Sequence, residues 1–261
     1  MDDPEGTSPY HILVTNDDGI GSPGIQDLAA ALRAVGEVTV VAPCGQQSGT
    51  SMSIGLNQEI RLRTSEAGNC VNATPAGAVL FAARALAPEG GFDLVVSGIN
   101  VGANIGEVSH MSGTIGAAMM GAYLRLPAVA ASQGGGPGGF EHAAGVVARF
   151  VAELRRRGPE TGIVYSLNFP TSTAAETRGI AARPMGGSYF RIDYEEASEG
   201  EDERRFRPVF GPPDPIPAGS DTEAHNEGLV TITPLRFDWT DLPTVAALEE
   251  WDLEALLDTE G

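Results

Sequence analysis

Two adjacent carboxylates, Asp17 and Asp18, close an apolar run in the stretch "ILVTNDDGIGSPG". Neighbouring carboxylates repel, and burying either one is costly unless positive charge is supplied. Two further oxygen donors follow in glycine-rich loops, Ser48 in "APCGQQSGTS" and Asn100 in "SGINVGANIGEVSHMSGT". A donor set of two carboxylates, a hydroxyl and an amide oxygen, without His or Cys, suits one hard divalent ion: Mg²⁺, Mn²⁺ or Ca²⁺ rather than Zn²⁺. The plainer alternative is that Asp17-Asp18-Gly19 makes an Asx-type turn leading into a helix.

A second constellation, Ser112-Gly113-Thr114, immediately precedes a helical pattern. A glycine-containing turn at a helix start presents free N–H groups and the positive dipole end to an anion, and the flanking hydroxyls add donors. The alternative is a simple N-cap by Ser112 or Thr114. A cation site beside a phosphate cradle points to metal-assisted phosphoester hydrolysis, with Asp17 or Asp18 orienting the attacking water or taking its proton. Other phosphate and acyl chemistries lack their signatures. There is no GxxxxGK[ST], "GIGSPG" does not match GxGxxG, and "GTSMS" does not match GxSxG.

These loops must be held by regular elements. Strands are expected at Tyr10–Thr15, "EVTVVAP", "EIRLRT", "FDLVVSGIN", "PAVAAS" and "GIVYSLNFP". Helices are expected at Pro23–Val35 (Ser22 as N-cap), Pro75–Leu86, Gly113–Leu124 and Phe140–Arg157. The alternation predicts an α/β fold: a Rossmann-like, mainly parallel sheet with helices on both faces and its ligand site beyond the strand C-termini. After Pro170 the pattern changes to short strands ("GIAARP", "SYFRIDYEE", "RRFRPVF", "GLVTITPL"), read as hairpins of an arm. Residues 1–170 are thus the core with the site. Residues 171–261 are the hairpin arm, a returning strand and an acidic tail of the same domain, with a helix expected from Pro243 to Leu257. "QGGGPGG" from Gln133 is read as a loop within that domain.

Composition narrows the setting. The 261 residues are 42% apolar, enough for a core, and carry a net charge of −19. That field disfavours nucleic acid and anionic membranes as partners; Arg155-Arg156-Arg157 suits the basic end of a helix. No apolar run reaches the ~18 residues of a membrane span, and the N-terminus lacks the marks of a signal peptide, so a cytoplasmic protein is expected. Cys44 and Cys70 make neither a disulfide framework nor a zinc motif, and Cys44 is expected as a small, partly buried side chain.

Together these motifs resemble the SurE family of 5'/3'-nucleotidases. The resemblance rests on Thr15 to Gly19 with Pro23-Gly24, Val41-Ala42-Pro43 with Ser48-Gly49, Ser97 to Gly106, Ser112 to Ala118, and "TITPL" at Thr231 to Leu235. It spans most of residues 10–240. It implies a Rossmann-like core with a C-terminal arm joining a homodimer or homotetramer. It implies a divalent-metal phosphatase acting on a small phosphorylated substrate, a nucleoside 5'- or 3'-monophosphate. The metal ligands carry over to Asp17, Asp18, Ser48 and Asn100, the first two also being catalytic, and the phosphate contacts to Asn104, Ser112, Gly113 and Thr114.

The departures fall around the substrate. Cys44-Gly45-Gln46-Gln47 stands where the family pattern has Asp-Arg-Asn-Arg, Ala76-Gly77-Ala78 loses an acid, and Glu107-Val108-Ser109-His110-Met111 replaces a stretch that ends in Tyr. His110 can protonate a leaving oxygen or bind substrate, or it can be an exposed loop histidine. Three other readings therefore stand beside a general nucleotidase: a phosphatase specialised for a non-nucleotide ester, a non-catalytic nucleotide or metabolite binder, and a nucleotide-sugar transferase.

Overall fold

A computed structural model of the chain describes residues 9–134, 138–171, 173–187, 190–199, 203–211 and 215–257. The first two-thirds of the chain winds a parallel sheet from β1 (His11–Thr15), β2 (Glu37–Pro43), β5 (Leu94–Val101), β6 (Ala128–Gln133) and β7 (Ile163–Phe169). A short antiparallel pair, β3 (Leu62–Ser65) and β4 (Gly68–Val71), extends one edge, and β11 (Leu229–Arg236) with β8 (Gly179–Ala182) extends the other. The nine-stranded order is β3-β4-β2-β1-β5-β6-β7-β11-β8, antiparallel only at β3–β4 and β7–β11.

The crossover helices are α1 (Pro23–Leu32), α2 (Pro75–Ala85), α3 (Gly113–Tyr123) and α4 (Glu141–Arg157). Alternate residues of β1 supply opposite faces. Ile12 and Val14 pack with Ile25 and Leu28 of α1 and Val147 and Val151 of α4. Leu13 packs with Val79 and Ala82 of α2 and Ile115 and Met119 of α3. This period of two is what a sheet covered on both faces requires.

The α/β sheet with helices on both faces is therefore as expected, and most elements fall where the sequence placed them. Three elements escaped the sequence reading: β4, a 3-10 turn at Gly106–His110, and a helix α5 (Asp221–Asn226). Of the four late strands read as hairpins, only β9 (Arg191–Glu199) and β10 (Arg204–Gly211) form an antiparallel hairpin, while β11 and β8 pair in parallel at the edge of the main sheet. The tail forms α6 (Leu242–Glu249) and a 3-10 turn at Glu254–Leu257.

The cysteine expectation is corrected. Cys44 and Cys70 form a disulfide with their Cα atoms 4.8 Å apart, and Cys44 is exposed rather than part-buried. The reason is register: β2 pairs parallel with β4, setting Ala42 beside Cys70, so residues 26 apart in sequence meet. The middle of the Gln133 loop, residues 135–137, lies outside the described residues, as do residues 1–8, 200–202 and the last four of the chain. Among the described residues, no helix is long and apolar enough to cross a membrane.

Candidate active site

The strand ends of β1, β2 and β5 and the start of α3 converge at one end of the sheet. Asn16 fixes the turn after β1: its side-chain nitrogen donates to the Gly19 carbonyl (3.0 Å) and to Ser22 Oγ (2.8 Å), and its Oδ1 accepts from the Gly19 N–H (3.2 Å). Ser22 is the N-cap position of α1, but its hydroxyl serves Asn16 and makes no cap bond. The turn is thus held by Asn16 across three residues, and not by an Asx-type turn of Asp17-Asp18-Gly19. Asp17 and Asp18 are left to point elsewhere.

Asp17 is buried, and its Oδ1 accepts a 2.5 Å hydrogen bond from Thr114 Oγ1. Asp18 is half-buried, and its Oδ2 accepts from the Val101 N–H at 3.1 Å. Burial pushes the Asp17 carboxyl up to about 6, with Asp18 adding repulsion and the Thr114 bond opposing both. Burial also raises Asp18, against the Val101 bond. None of the ion pairs among the described residues reaches either carboxylate. Two close, partly dehydrated acids without a cationic side chain form a site whose chemistry suits a bound cation.

The loop after β2 lies over this pair. The Gln47 N–H donates to the Asp17 carbonyl at 2.7 Å, and a Cβ on Gly19 would stand 3.1 Å from the Gly45 backbone. Gln46 Nε2 donates to the exposed Ser48 Oγ at 3.1 Å. A β-bulge positions the third donor: the β5–β6 register shifts between Ser97 and Asn100. Gly98 occupies the bulge at φ +133°, where a Cβ would lie 2.3 Å from the Ala131 carbonyl oxygen, so only glycine fits. The Asn100 side-chain nitrogen donates to the Gly102 carbonyl (2.8 Å), which leaves its amide oxygen as the group for a ligand.

The start of α3 closes the site. Ser112 caps the helix by accepting from the Ile115 N–H at 3.2 Å. A Cβ on Gly113 would sit 2.9 Å from Asp17 Cβ and 3.0 Å from Thr50 Oγ1, so the helix terminus meets the carboxylate at backbone distance. Asn104 lies in the segment between β5 and α3. It is buried in a polar cluster where its N–H donates to Asn168 Oδ1 (2.8 Å) and its side chain to Ser132 Oγ (2.9 Å).

The structure thus gathers Asp17, Asp18, Gly113 and Thr114 directly, and brings the loops of Ser48 and Asn100 against them. Among the described residues there is no cluster of three or more His, Cys, Asp or Glu able to hold a metal. A donor set half made of Ser and Asn is not such a cluster, and its oxygen character fits a hard ion.

Several supporting residues gave no signal in the sequence. Thr50 and Ser51 lie along α3, and the Ser51 N–H donates to the Met111 carbonyl at 3.1 Å. Asp221, buried in α5, accepts from the N–H groups of Gly106 (3.1 Å) and Gly186 (3.0 Å) and so ties down the 3-10 turn Gly106–His110 that leads to Ser112. An Asp at a helix start is a common cap, and only the fold reveals these long-range bonds.

Comparison with known proteins agrees with this architecture. The family model described as Survival protein SurE matches residues 12–191. A 5'-nucleotidase SurE of Methylobacterium radiotolerans is 38% identical over 246 residues, covering 90% of this chain and 96% of that protein. A 5'/3'-nucleotidase SurE of Yersinia pestis is 36% identical over 255 residues, covering 95% and 98%. The crystal structure of the SurE protein from Aquifex aeolicus superposes with a TM-score of 0.82 at 29% identity, covering 95% of this chain and all of that one.

Proposed function

We propose that this chain, which belongs to the SurE family, is a phosphoric monoester hydrolase that releases phosphate from nucleoside 5'- or 3'-monophosphates with the help of one divalent cation. The observation that carries the reading is the buried Asp17, set beside Asp18 without a cationic side chain and hydrogen-bonded to Thr114 at the head of α3. A pure binding protein has no need of that costly arrangement.

Asp17, Asp18, Ser48 and Asn100 are the residues proposed to hold the ion, Mg²⁺ or Mn²⁺, with Ca²⁺ as a third fit. When bound, such an ion supplies charge neutralisation for the phosphoryl oxygens and acidifies a water molecule. The protein's own part is to orient and to exclude. The N–H groups of Gly113 and Thr114 at the α3 N-terminus, the Ser112 hydroxyl and Asn104 are proposed to seat the phosphate, while the Thr114 hydroxyl holds Asp17. One of the two aspartates orients water for attack on phosphorus. The water oxygen bonds to phosphorus as the ester P–O bond breaks, and one proton of that water ends on the leaving oxygen, giving an alcohol and inorganic phosphate.

The account extends to assembly. Tyr194, Phe206 and Phe210 on the β9–β10 hairpin and Trp251, Leu256 and Leu257 in the tail are exposed. Exposed apolar groups on protruding elements suit burial between copies of the chain, and the arm is proposed to join a homodimer or homotetramer.

The test is a substrate panel of nucleoside monophosphates and non-nucleotide phosphate esters, assayed with Mg²⁺, Mn²⁺, Ca²⁺ or EDTA. Metal-dependent release led by nucleotides supports the proposal. Release from non-nucleotide esters alone replaces it with the specialised phosphatase, and no release under any metal replaces it with a binding role.

A further inference from the structure

A cavity of about 300 Å³ lies against the outer side of α3, and nothing in the reaction as described uses it. Ile115, Gly116 and Met119 form one wall. Leu235 and Arg236 at the end of β11 face them, with Trp239 just beyond. The cavity borders the phosphate cradle. Ser112 Oγ accepts from the Ile115 N–H, and the Ser112 carbonyl accepts from the Gly116 N–H at 2.9 Å. Ile115 begins only ~3 Å along the helix axis from Gly113.

We propose that this cavity holds the planar base of the substrate, with one face on Trp239 and an edge toward Arg236. Its chemistry is that of an aromatic slot. Met52, Met119 and Met185 supply polarizable, adaptable walls. The Trp239 indole is 75% exposed and open to stacking. Arg236 is exposed and offers a flat cation to a ring face or edge. The family-pattern Tyr before Ser-Gly-Thr is Met111 here, so the aromatic surface comes from a different part of the chain.

The hydroxyls of the lining are already engaged. Ser51 Oγ donates to the His110 carbonyl at 2.8 Å, and Ser109 Oγ donates to the Asn104 carbonyl at 3.0 Å. The His110 ring and the Arg236 guanidinium are the polar side chains left to meet a base edge, so stacking supplies most of the contact, and stacking tolerates every base. The expected behaviour is a strong preference for esters that carry a base, with little discrimination among bases.

This inference rests on the nucleotidase reading, and two measurements separate their failures. The first compares KM for a nucleoside 5'-monophosphate with KM for ribose 5-phosphate, which offers the same ester without the base. The expected KM ratio is at least about tenfold, from the cost of losing one stacked base. Trp239→Ala, at an exposed position, narrows that ratio toward one.

The second measurement needs no turnover. Trp239 and Trp251 are the two tryptophans of the chain. In Trp251→Phe, all indole fluorescence reports on Trp239, and adenosine is titrated against it. Saturable quenching that Arg236→Ala and Met119→Ala weaken supports the slot, even if no ester is hydrolysed. Phosphate release with equal KM for both esters, or no quenching by millimolar adenosine, overturns the slot and leaves the nucleotidase reading intact.

Discussion

Gly116 is where the helix and the Ser48 loop press together most closely. A Cβ there would lie 1.9 Å from the Ser51 carbonyl oxygen and 2.3 Å from its carbon. Both are backbone atoms, so no side-chain rotation relieves the clash, and the loop must move away from α3 by about 1 Å to restore ordinary contact. Gly116→Ala is therefore expected to cost about 1–3 kcal/mol, the usual penalty for overpacking. It also lifts the segment that carries Ser48, three residues before Ser51, from its place over Asp17. The expected result is a several-fold loss of Mn²⁺ affinity, read by electron paramagnetic resonance of the free ion, alongside the fall in stability. Gly121→Ala is the control. On the same helix its Cβ would meet the Val95 side chain at 2.8 Å, in the core and away from the loop. That variant should lose stability and keep its Mn²⁺ affinity. If Gly116→Ala binds Mn²⁺ as well as the parent chain, or if both variants lose affinity equally, the reasoning about the loop is refuted.

Other perturbations test separate contacts. Thr114→Val removes the 2.5 Å bond to the buried Asp17 carboxylate, at a cost of about 1.5–3 kcal/mol. That bond also holds the Asp17 pKa down, so the variant's Mn²⁺ binding should weaken more at pH 6 than at pH 8; an equal loss at both would speak against the coupling. Paired replacement of Cys44 and Cys70 by Ser opens a closed loop of 26 residues' separation, worth about 3 kcal/mol or ~6–12 °C of Tm. A dithiol should lower the melting temperature of the parent protein alone and leave the double variant unmoved. Burial lowers the His225 pKa to about 4, with Asp221 opposing. The unfolded chain therefore binds this proton more readily than the folded one. The associated stability is full above pH ~6.5 and is lost as pH falls through about 4, by about 3 kcal/mol. Urea titrations at pH 7 and pH 4.5 should show a smaller acid penalty in His225→Gln than in the parent chain; equal penalties would contradict the assignment.

The parts legible in the sequence were those written in local pattern. The apolar run of β1, the Pro at the start of α1 and the Thr-Pro pair before α2 mark their elements within a few residues, because strand alternation and helix entry are short-range effects. The Asp17–Asp18 pair was legible as chemistry for the same reason: adjacent carboxylates at a strand end are costly in any fold. What stayed hidden depends on register and crossover. Cys44 meets Cys70 only because β2 and β4 run parallel in one register. Asp221 reaches Gly106 across 115 residues, and β8 and β11, indistinguishable in sequence from hairpin strands, are sorted into the main sheet by whom they pair with. Trp239 and Arg236 belong to no motif in the sequence, and only the course of β11 sets them at the cavity beside α3.

The most direct test of the central claim is Mn²⁺-dependent phosphate release from a nucleoside 5'-monophosphate by the parent chain and by Asp18→Asn, with circular dichroism on both. The account predicts turnover in the parent that EDTA abolishes. In Asp18→Asn it predicts a loss of at least a hundredfold, with the fold unchanged. Undiminished, EDTA-resistant release by a folded Asp18→Asn protein would contradict it.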